Sequence, residues 1–454
     1  MNSTPLLRFN RITQLIATGI LLLFISGSCD RNREDQPNVI LIMADDMGYE
    51  CLGAYGSKSY QTPRIDRMAE EGILVSHCIS NPLCTPSRVK IMTGRHNYRN
   101  YEYFGYLNSD EYTFGNLMNE AGYSTCIVGK WQLNGIYHNL PGNQDLSKPF
   151  GFGFDEYCLW QVHKGKQKGE RYADPLIVQN GSELPRNPDD YGPDIFADYA
   201  CDFIDRNRDH AFFLYYPMVL VHDPFVPTPG SVEWYDRDRR YENDTAYFKD
   251  MVEYTDGIVG RILDQLSESG IEENTLVIFT GDNGTNRAIT SKMTDKTVTG
   301  GKGMTIDNGV HVPLVIRWPR MIRDAEIHHE VIEFSDFFAT FAEIAGRGVE
   351  NDGKSFLGML KGKNYVERKL AFVHYDPMWG EWVNNHRNRF VQNTEYKLYQ
   401  DGTMYDIVRD PLEENPLTGS WQKESSDTLS DEIKYLITRM QDMLNKAPRW
   451  EDRP

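Results

Sequence analysis

Two patterns of apolar positions recur along the chain. Residues 38–44 (NVILIMA) form an unbroken apolar run, as expected of a strand covered on both faces in a mostly parallel sheet. Residues 125–128, 211–216, 275–280 and 312–316 repeat the pattern. Between these runs, apolar residues fall at three- and four-residue steps. The clearest stripe is Phe248, Met251, Val252, Thr255, Val259, Ile262, Leu263 and Leu266, which predicts a helix with one buried face. A second helix is predicted over 334–345. Strands alternating with helices predict an α/β fold, with a large mixed, mostly parallel sheet sandwiched by helices. From about Asn364 the pattern shortens to a strand at 370–374, a hairpin around Asp401-Gly402 and a helix from about 429 to 444. This predicts a smaller C-terminal α+β subdomain, an antiparallel sheet plus helix, over 361–454, after an α/β domain over 36–360.

The first 29 residues read as a leader. Arg8 and Arg11 precede an apolar stretch at 15–25, which is short for a bilayer span and fits a secretory signal. The chain is therefore expected to be exported, to the periplasm or outer envelope of a bacterium. Ser26-Gly27-Ser28-Cys29 resembles a lipoprotein cleavage site, so the readings are a lipid on Cys29, plain cleavage or a retained anchor. Apart from such a lipid, no membrane partner is expected.

Charge narrows the ligands. The 454 residues carry 48 Lys+Arg against 66 Asp+Glu, a formal charge of −18. That balance argues against general nucleic-acid binding, which needs clustered basic residues, so an anionic ligand must be met by a local pocket. Cysteines 29, 51, 78, 84, 126, 158 and 201 are irregularly spaced with no C-x-x-C pair, which indicates neither a disulfide framework nor a zinc site.

Ligands of doubly wound sheets gather at the carboxyl ends of strands. Asp45-Asp46 follow the first predicted strand directly, and Asp282-Asn283 follow the run at 275–280, between Gly281 and Gly284. Either cluster alone is ordinary loop and cap composition. Together, at two buried strand ends, they predict an oxygen-only site for Ca²⁺, with Mg²⁺ as the alternative.

The most specific stretch is Cys84-Thr85-Pro86-Ser87-Arg88, followed by Met92-Thr93-Gly94-Arg95. It resembles the C-x-P-S-R element of the type I sulfatases, arylsulfatase-like members of the alkaline phosphatase superfamily. Asp45-Asp46-Met47-Gly48, Gly129-Lys130-Trp131, Phe152-Gly153-Phe154-Asp155, Gly281-Asp282-Asn283-Gly284, Gly301-Lys302-Gly303 and Tyr405-Asp406 with Asp410-Pro411 match in order. The resemblance covers nearly the whole mature chain. It implies a sulfuric ester hydrolase whose Cys84 is oxidised to formylglycine by a maturation enzyme, with Asp45, Asp46, Asp282, Asn283 and position 84 around the metal. A hydrated aldehyde suits sulfate transfer better than a thiol, because its second hydroxyl can drive release of sulfate. On this reading Pro86 opens a helix whose first turn faces the anion, and Arg88 reaches the oxygen of position 84. Lys130 and Lys302 hold sulfate oxygens, and His222 is the general acid for the leaving alcohol.

Two positions depart from the family pattern. Gln132 stands where histidine is usual and cannot act as a base near neutral pH. It is expected to position the hydrate while Asp45 or Asp46 takes the proton. His311 stands where arginine is usual, as a weaker substrate contact. Lys164, Lys166, Lys168 and Arg171 form either a second anion contact or a solvated run. Trp379, Trp382, His386, Arg387 and Arg389 form either a sugar-binding lip or core packing. The expected substrate is a sulfated saccharide, with short oligomers preferred because the acidic protein repels long polyanions. The alternatives are a phosphate or phosphonate ester hydrolase and a noncatalytic glycan-binding lipoprotein.

Overall fold

The computed structural model describes Met1 and residues 36–163, 168–376, 389–418 and 430–447. The leader with Cys29, Lys164, Lys166, Trp379, Trp382, His386 and Arg387 lie outside the described residues, as does the side chain of Lys168. The chain divides into Met1–Pro37 and Asn38–Pro454, and every strand and helix described belongs to the second unit. No helix among the described residues is long and apolar enough to cross a membrane.

The strands are β1 (Asn38–Ala44), β2 (Ile73–Ile79), β3 (Ser124–Lys130), β4 (Glu156–Trp160), β5 (Ile177–Gln179), β6 (Ser182–Glu183), β7 (Phe212–Pro217), β8 (Thr275–Gly281), β9 (Thr290–Lys292), β10 (Thr297–Thr299), β11 (His311–Val312), β12 (Leu314–Arg317), β13 (Glu326–Glu333), β14 (Ala371–His374), β15 (Arg389–Gln392), β16 (Tyr396–Tyr399) and β17 (Met404–Asp406). An eleven-stranded mixed sheet runs β11-β2-β12-β8-β1-β7-β3-β4-β5-β6, with β13 beside β2. Its centre, β8-β1-β7-β3-β4, is parallel.

Strand β1 shows why an unbroken apolar run was needed. Val39, Leu41 and Met43 enter one core cluster, while Ile40, Ile42 and Ala44 enter the other. The first cluster is shared with helices Cys84–Thr93 and Ser335–Ala345, the second with Gly192–Arg206 and Phe248–Glu268. Burying each large aliphatic side chain contributes about 1.5–3 kcal/mol. The run at 312–316 departs from expectation. Pro313 lacks an N–H and interrupts it, leaving β11 and β12, and β12 pairs antiparallel with β8.

The predicted C-terminal elements form the antiparallel sheet β14-β15-β16-β17 and the helix Asp431–Lys446. Alternation along β14 divides its side chains between two faces. Ala371 and Val373 pack with Leu83 and Cys84, whereas Phe372 packs with Met440 and Leu444 of the helix. The C-terminal sheet thus backs directly onto the segment that carries Cys84.

The helix Cys84–Thr93 begins two residues before Pro86, so that proline sits within its first turn rather than opening it. All ten residues are buried. It ends at Gly94, whose φ of 66° and contact with Phe338 leave no room for a side chain. Lys90 Nζ pairs with Glu333 Oε2 at 3.2 Å and donates to the Phe372 carbonyl at 2.9 Å. Glu333 also meets His96 at 2.9 Å, Arg368 at 3.2 Å and the Phe372 N–H at 2.8 Å. This dry network ties the helix to the C-terminal sheet. Removing one partner from a buried pair leaves uncompensated charge. Glu333→Gln is therefore expected to lower stability by about 3 kcal/mol, read as a lower urea midpoint at unchanged slope.

Candidate active site

The parallel register places Ala44 beside Gly281, so the chains leaving β1 and β8 deliver Asp45, Asp46, Asp282 and Asn283 to one point. All four are fully buried. Asp46 turns the chain at a φ of 61°. Its N–H donates to Asp282 Oδ1 at 2.9 Å, and its Oδ1 accepts from Asn283 Nδ2 at 2.9 Å. The two strand ends are thereby locked together.

Cationic side chains converge on these carboxylates from four directions. Lys130 Nζ, at the end of β3, lies 2.9 and 2.7 Å from the two oxygens of Asp45. Its position depends on Gly129, where a φ of 113° and the nearby Pro217 carbonyl exclude a Cβ. Arg88 Nη2 donates to Asp282 Oδ2 at 3.1 Å, and Nη1 donates to the Lys130 carbonyl at 3.1 Å. Arg171 Nη1 reaches Asp45 Oδ2 at 3.1 Å. Lys302 Nζ pairs with Asp46 Oδ2 and lies 2.9 Å from His222 Nε2.

This environment sets the charge states. Burial alone would raise the Asp45 carboxyl, but Lys130, His222, Arg88 and Arg171 hold it well below the usual range. Asp45 is consequently a poor proton acceptor, against the expectation that it takes the hydrate's proton. Burial, with the negative charge of Asp45, raises Asp282 despite Arg88. Burial pushes the Cys84 thiol up, with Lys130 opposing, so this sulfur is a protonated, weak nucleophile. Burial also lowers His222 to about 4, against the pull of Asp46. Its Nδ1 lies 2.7 Å from the Asp223 carbonyl, which places the imidazole proton on Nδ1 and leaves Nε2 to accept from Lys302.

The donor set fits a hard divalent cation. Asp45, Cys84 and Asp282 can bring ligand atoms within 4.8 Å of one another, as can Asp45, Asp46 and His222. The Oδ1 atom of Asn283 is buried without a hydrogen-bond partner, an orphaned acceptor that a cation would satisfy.

Most of the sequence-derived site assembles here: Asp45, Asp46, Cys84, Arg88, Lys130, His222, Asp282, Asn283 and Lys302. Gln132 joins it, accepting from the Cys84 thiol at 3.4 Å. Arg88 departs from its expected part, since its guanidinium clamps Asp282 and β3 rather than bonding position 84. Arg171 is not a solvated residue. It is buried against Asp45, with its guanidinium 4.0 Å from the Trp160 ring centre. His311 does not reach the centre. Its nitrogens face Asp307 at 3.1 Å and the Ser76 carbonyl at 2.8 Å, and its ring stacks on Tyr49. Arg389 is no cleft lip but is buried with Nε donating to His374. Tyr137 and Gln161, which sequence reasoning missed, border Gln132 through the Tyr137 hydroxyl.

A family model described as Sulfatase matches residues 37–347, and one described as N-sulphoglucosamine sulphohydrolase, C-terminal, matches 301–442. The chain belongs to the sulfatase family and is a sulfuric ester hydrolase. It is 30% identical to N-acetylgalactosamine-6-sulfatase of Homo sapiens over 390 residues, 78% of this chain and 71% of that protein. Its fold is similar to BT4656 solved in complex with its substrate D-glucosamine-2-N,6-O-disulfate, with a TM-score of 0.72 at 22% identity, covering 92% of this chain and 100% of that one. It is also similar to the phosphonate monoester hydrolase of Agrobacterium radiobacter, with a TM-score of 0.66 at 18% identity, covering 90% and 96%. These two structural likenesses concern fold alone.

A divalent cation that fits this site, added to chelator-treated protein at a hundred times its Kd, is expected to stabilise the fold by about 2.7 kcal/mol, seen as a higher unfolding temperature. Asp282→Asn is expected to remove most of that rise. Because Gln132 already holds position 84 through a hydrogen bond, Gln132→His is expected to change kcat by less than about tenfold; an increase of several orders of magnitude would assign the missing proton transfer to residue 132.

Proposed function

We propose that this sulfatase cleaves sulfate esters of saccharides, using a formylglycine made from Cys84 beside a calcium ion held by Asp45, Asp46, Asp282 and Asn283. The observation that carries the reading is Cys84 itself. It stands at the first position of a buried helix, within a carboxylate and cation cluster, and its thiol is held protonated. A thiol so placed has poor reactivity of its own, whereas an aldehyde made there needs no ionisation to add water.

The hydrated aldehyde supplies two hydroxyls on one carbon, one to displace the alcohol at sulfur and one to lose its proton as sulfate departs. Calcium supplies charge that polarises the sulfate and the oxygen of residue 84. The rest is the work of this chain's side chains. Lys130, Arg88 and Arg171 neutralise Asp45 and Asp282 so that these carboxylates do not repel the ester. The first turn of the helix presents backbone N–H groups to the same anion. Lys302 carries a proton on Nζ against His222 Nε2. That ammonium is the donor for the departing alcohol oxygen: one N–H proton passes to the oxygen and leaves a neutral amine, while His222 Nε2 accepts a second N–H and holds the donor in place.

The saccharide class is supported by the named substrates of the relatives, an N-acetylgalactosamine 6-sulfate ester and a glucosamine disulfate. An exported protein, matured by a formylglycine-generating enzyme and carrying a lipid on Cys29, fits the leader. The formal charge of −18 favours short oligosaccharides over long polyanions at low salt.

Peptide mass analysis is expected to find an aldehyde at residue 84. Cys84→Ala is expected to abolish hydrolysis, and sulfate esters are expected to be cleaved faster than phosphate esters of the same alcohol. Preference for phosphate would place the protein with the phosphate and phosphonate hydrolases. An unmodified thiol with sugar affinity indifferent to chelation would make it a binding protein.

A further inference from the structure

The polar contacts of Cys84 lead outward along one short path. Its thiol donates to Gln132 Oε1 at 3.4 Å, and Gln132 Nε2 donates to the Tyr137 hydroxyl at 3.4 Å. A second amide, Gln161 Nε2, donates to that hydroxyl at 2.7 Å. Gln132 and Gln161 have φ values of 55° and 63°, a region that residues other than glycine seldom occupy. Two strand exits, after β3 and after β4, are thus bent so that their amides meet at one phenol oxygen.

A phenol has two lone pairs and one proton. With both lone pairs occupied by amide donors, Tyr137 is left as a hydrogen-bond donor of fixed direction. Its surroundings are open and aromatic. Tyr137 is 38% exposed and Tyr103 is 37% exposed. Phe104 lies 5.9 Å from the Tyr137 ring and belongs to the apolar cluster that contains Cys84. Exposed rings beside a directed donor match a sugar, which offers an apolar C–H face and oxygen acceptors. The Tyr103 ring meets Tyr106 edge-on at 6.3 Å and His138, the neighbour of Tyr137, at 5.2 Å while keeping an exposed surface; ring packing does not account for the two amides gathered on one hydroxyl.

We propose that Tyr137 is a specificity-determining residue that donates its hydroxyl proton to an oxygen of the sulfated saccharide, with the sugar lying beside the Tyr103 ring. This rests on the saccharide sulfatase reading above. The two are separated by an ester that has sulfate but no sugar. Wild type and Tyr137→Phe are compared on a panel of monosulfated hexoses and hexosamines and on 4-methylumbelliferyl sulfate, with the mass of the residue-84 peptide measured on the same samples.

The expected result is a roughly tenfold fall in the ratio of kcat/KM on the best sugar sulfate to kcat/KM on the aryl sulfate, arising chiefly from a higher KM for the sugar. A purely structural role for the hydroxyl would depress both substrates together, and an unchanged ratio overturns the proposal. Wild-type hydrolysis of the aryl ester with none of the sugar panel overturns it too, while leaving the sulfatase chemistry in place. Inactivity on every ester with an unmodified thiol overturns the catalytic reading, and this proposal with it.

Discussion

Three carboxylates at the dry end of a parallel sheet must be neutralised, and much of the structure around β1 and β8 answers to that constraint. Asp45, Asp46 and Asp282 are brought together by strand register, not by choice of loop conformation. Water is excluded from all three, so their mutual repulsion is weakly screened. Arg88, Lys130, Arg171 and Lys302 supply four positive charges from four separate elements. The surplus of one charge over three carboxylates matches the single negative charge of a sulfate ester, and the cluster remains favourable to anions although the chain as a whole is strongly acidic.

The C-terminal sheet is part of this arrangement. It covers Leu83 and Cys84 through Ala371 and Val373. It holds the Lys302 loop as well, since Lys397 and Tyr399 both donate to the Thr305 carbonyl. The Lys90 and Glu333 network fixes the other end of the Cys84 helix to the same sheet. Position 84 is therefore constrained from its N-terminal side by the cation cluster and from behind by residues nearly three hundred positions later in the chain. Rigidity of this kind is what a reacting atom needs to keep its geometry through turnover.

Legibility in the sequence followed burial pattern. Strand β1 was readable because both of its faces are covered, and the helix Phe248–Glu268 because only one of its faces is. The helix Cys84–Thr93 is buried all round, so it shows no stripe and only its motif marked it. Asp45 and Asp282 were readable because strand ends are predictable meeting points. Arg171 was obscured by its neighbours Lys164, Lys166 and Lys168, since a basic run does not tell which member turns inward onto a tryptophan. His311 follows from pairing: β11 joins β2 at Ile79 and carries the imidazole toward Ser76. Tyr137 and Gln161 lack any shared motif and meet only because two strand exits bend toward each other.

The complete enclosure of the Cys84–Thr93 helix also sets an order of events. Cys84, Pro86 and Arg88 are out of reach of any protein-sized reagent once this helix is packed, so an enzymatic change at residue 84 would have to precede folding. The chemical state of that side chain in the folded protein is accordingly set before its helix is enclosed.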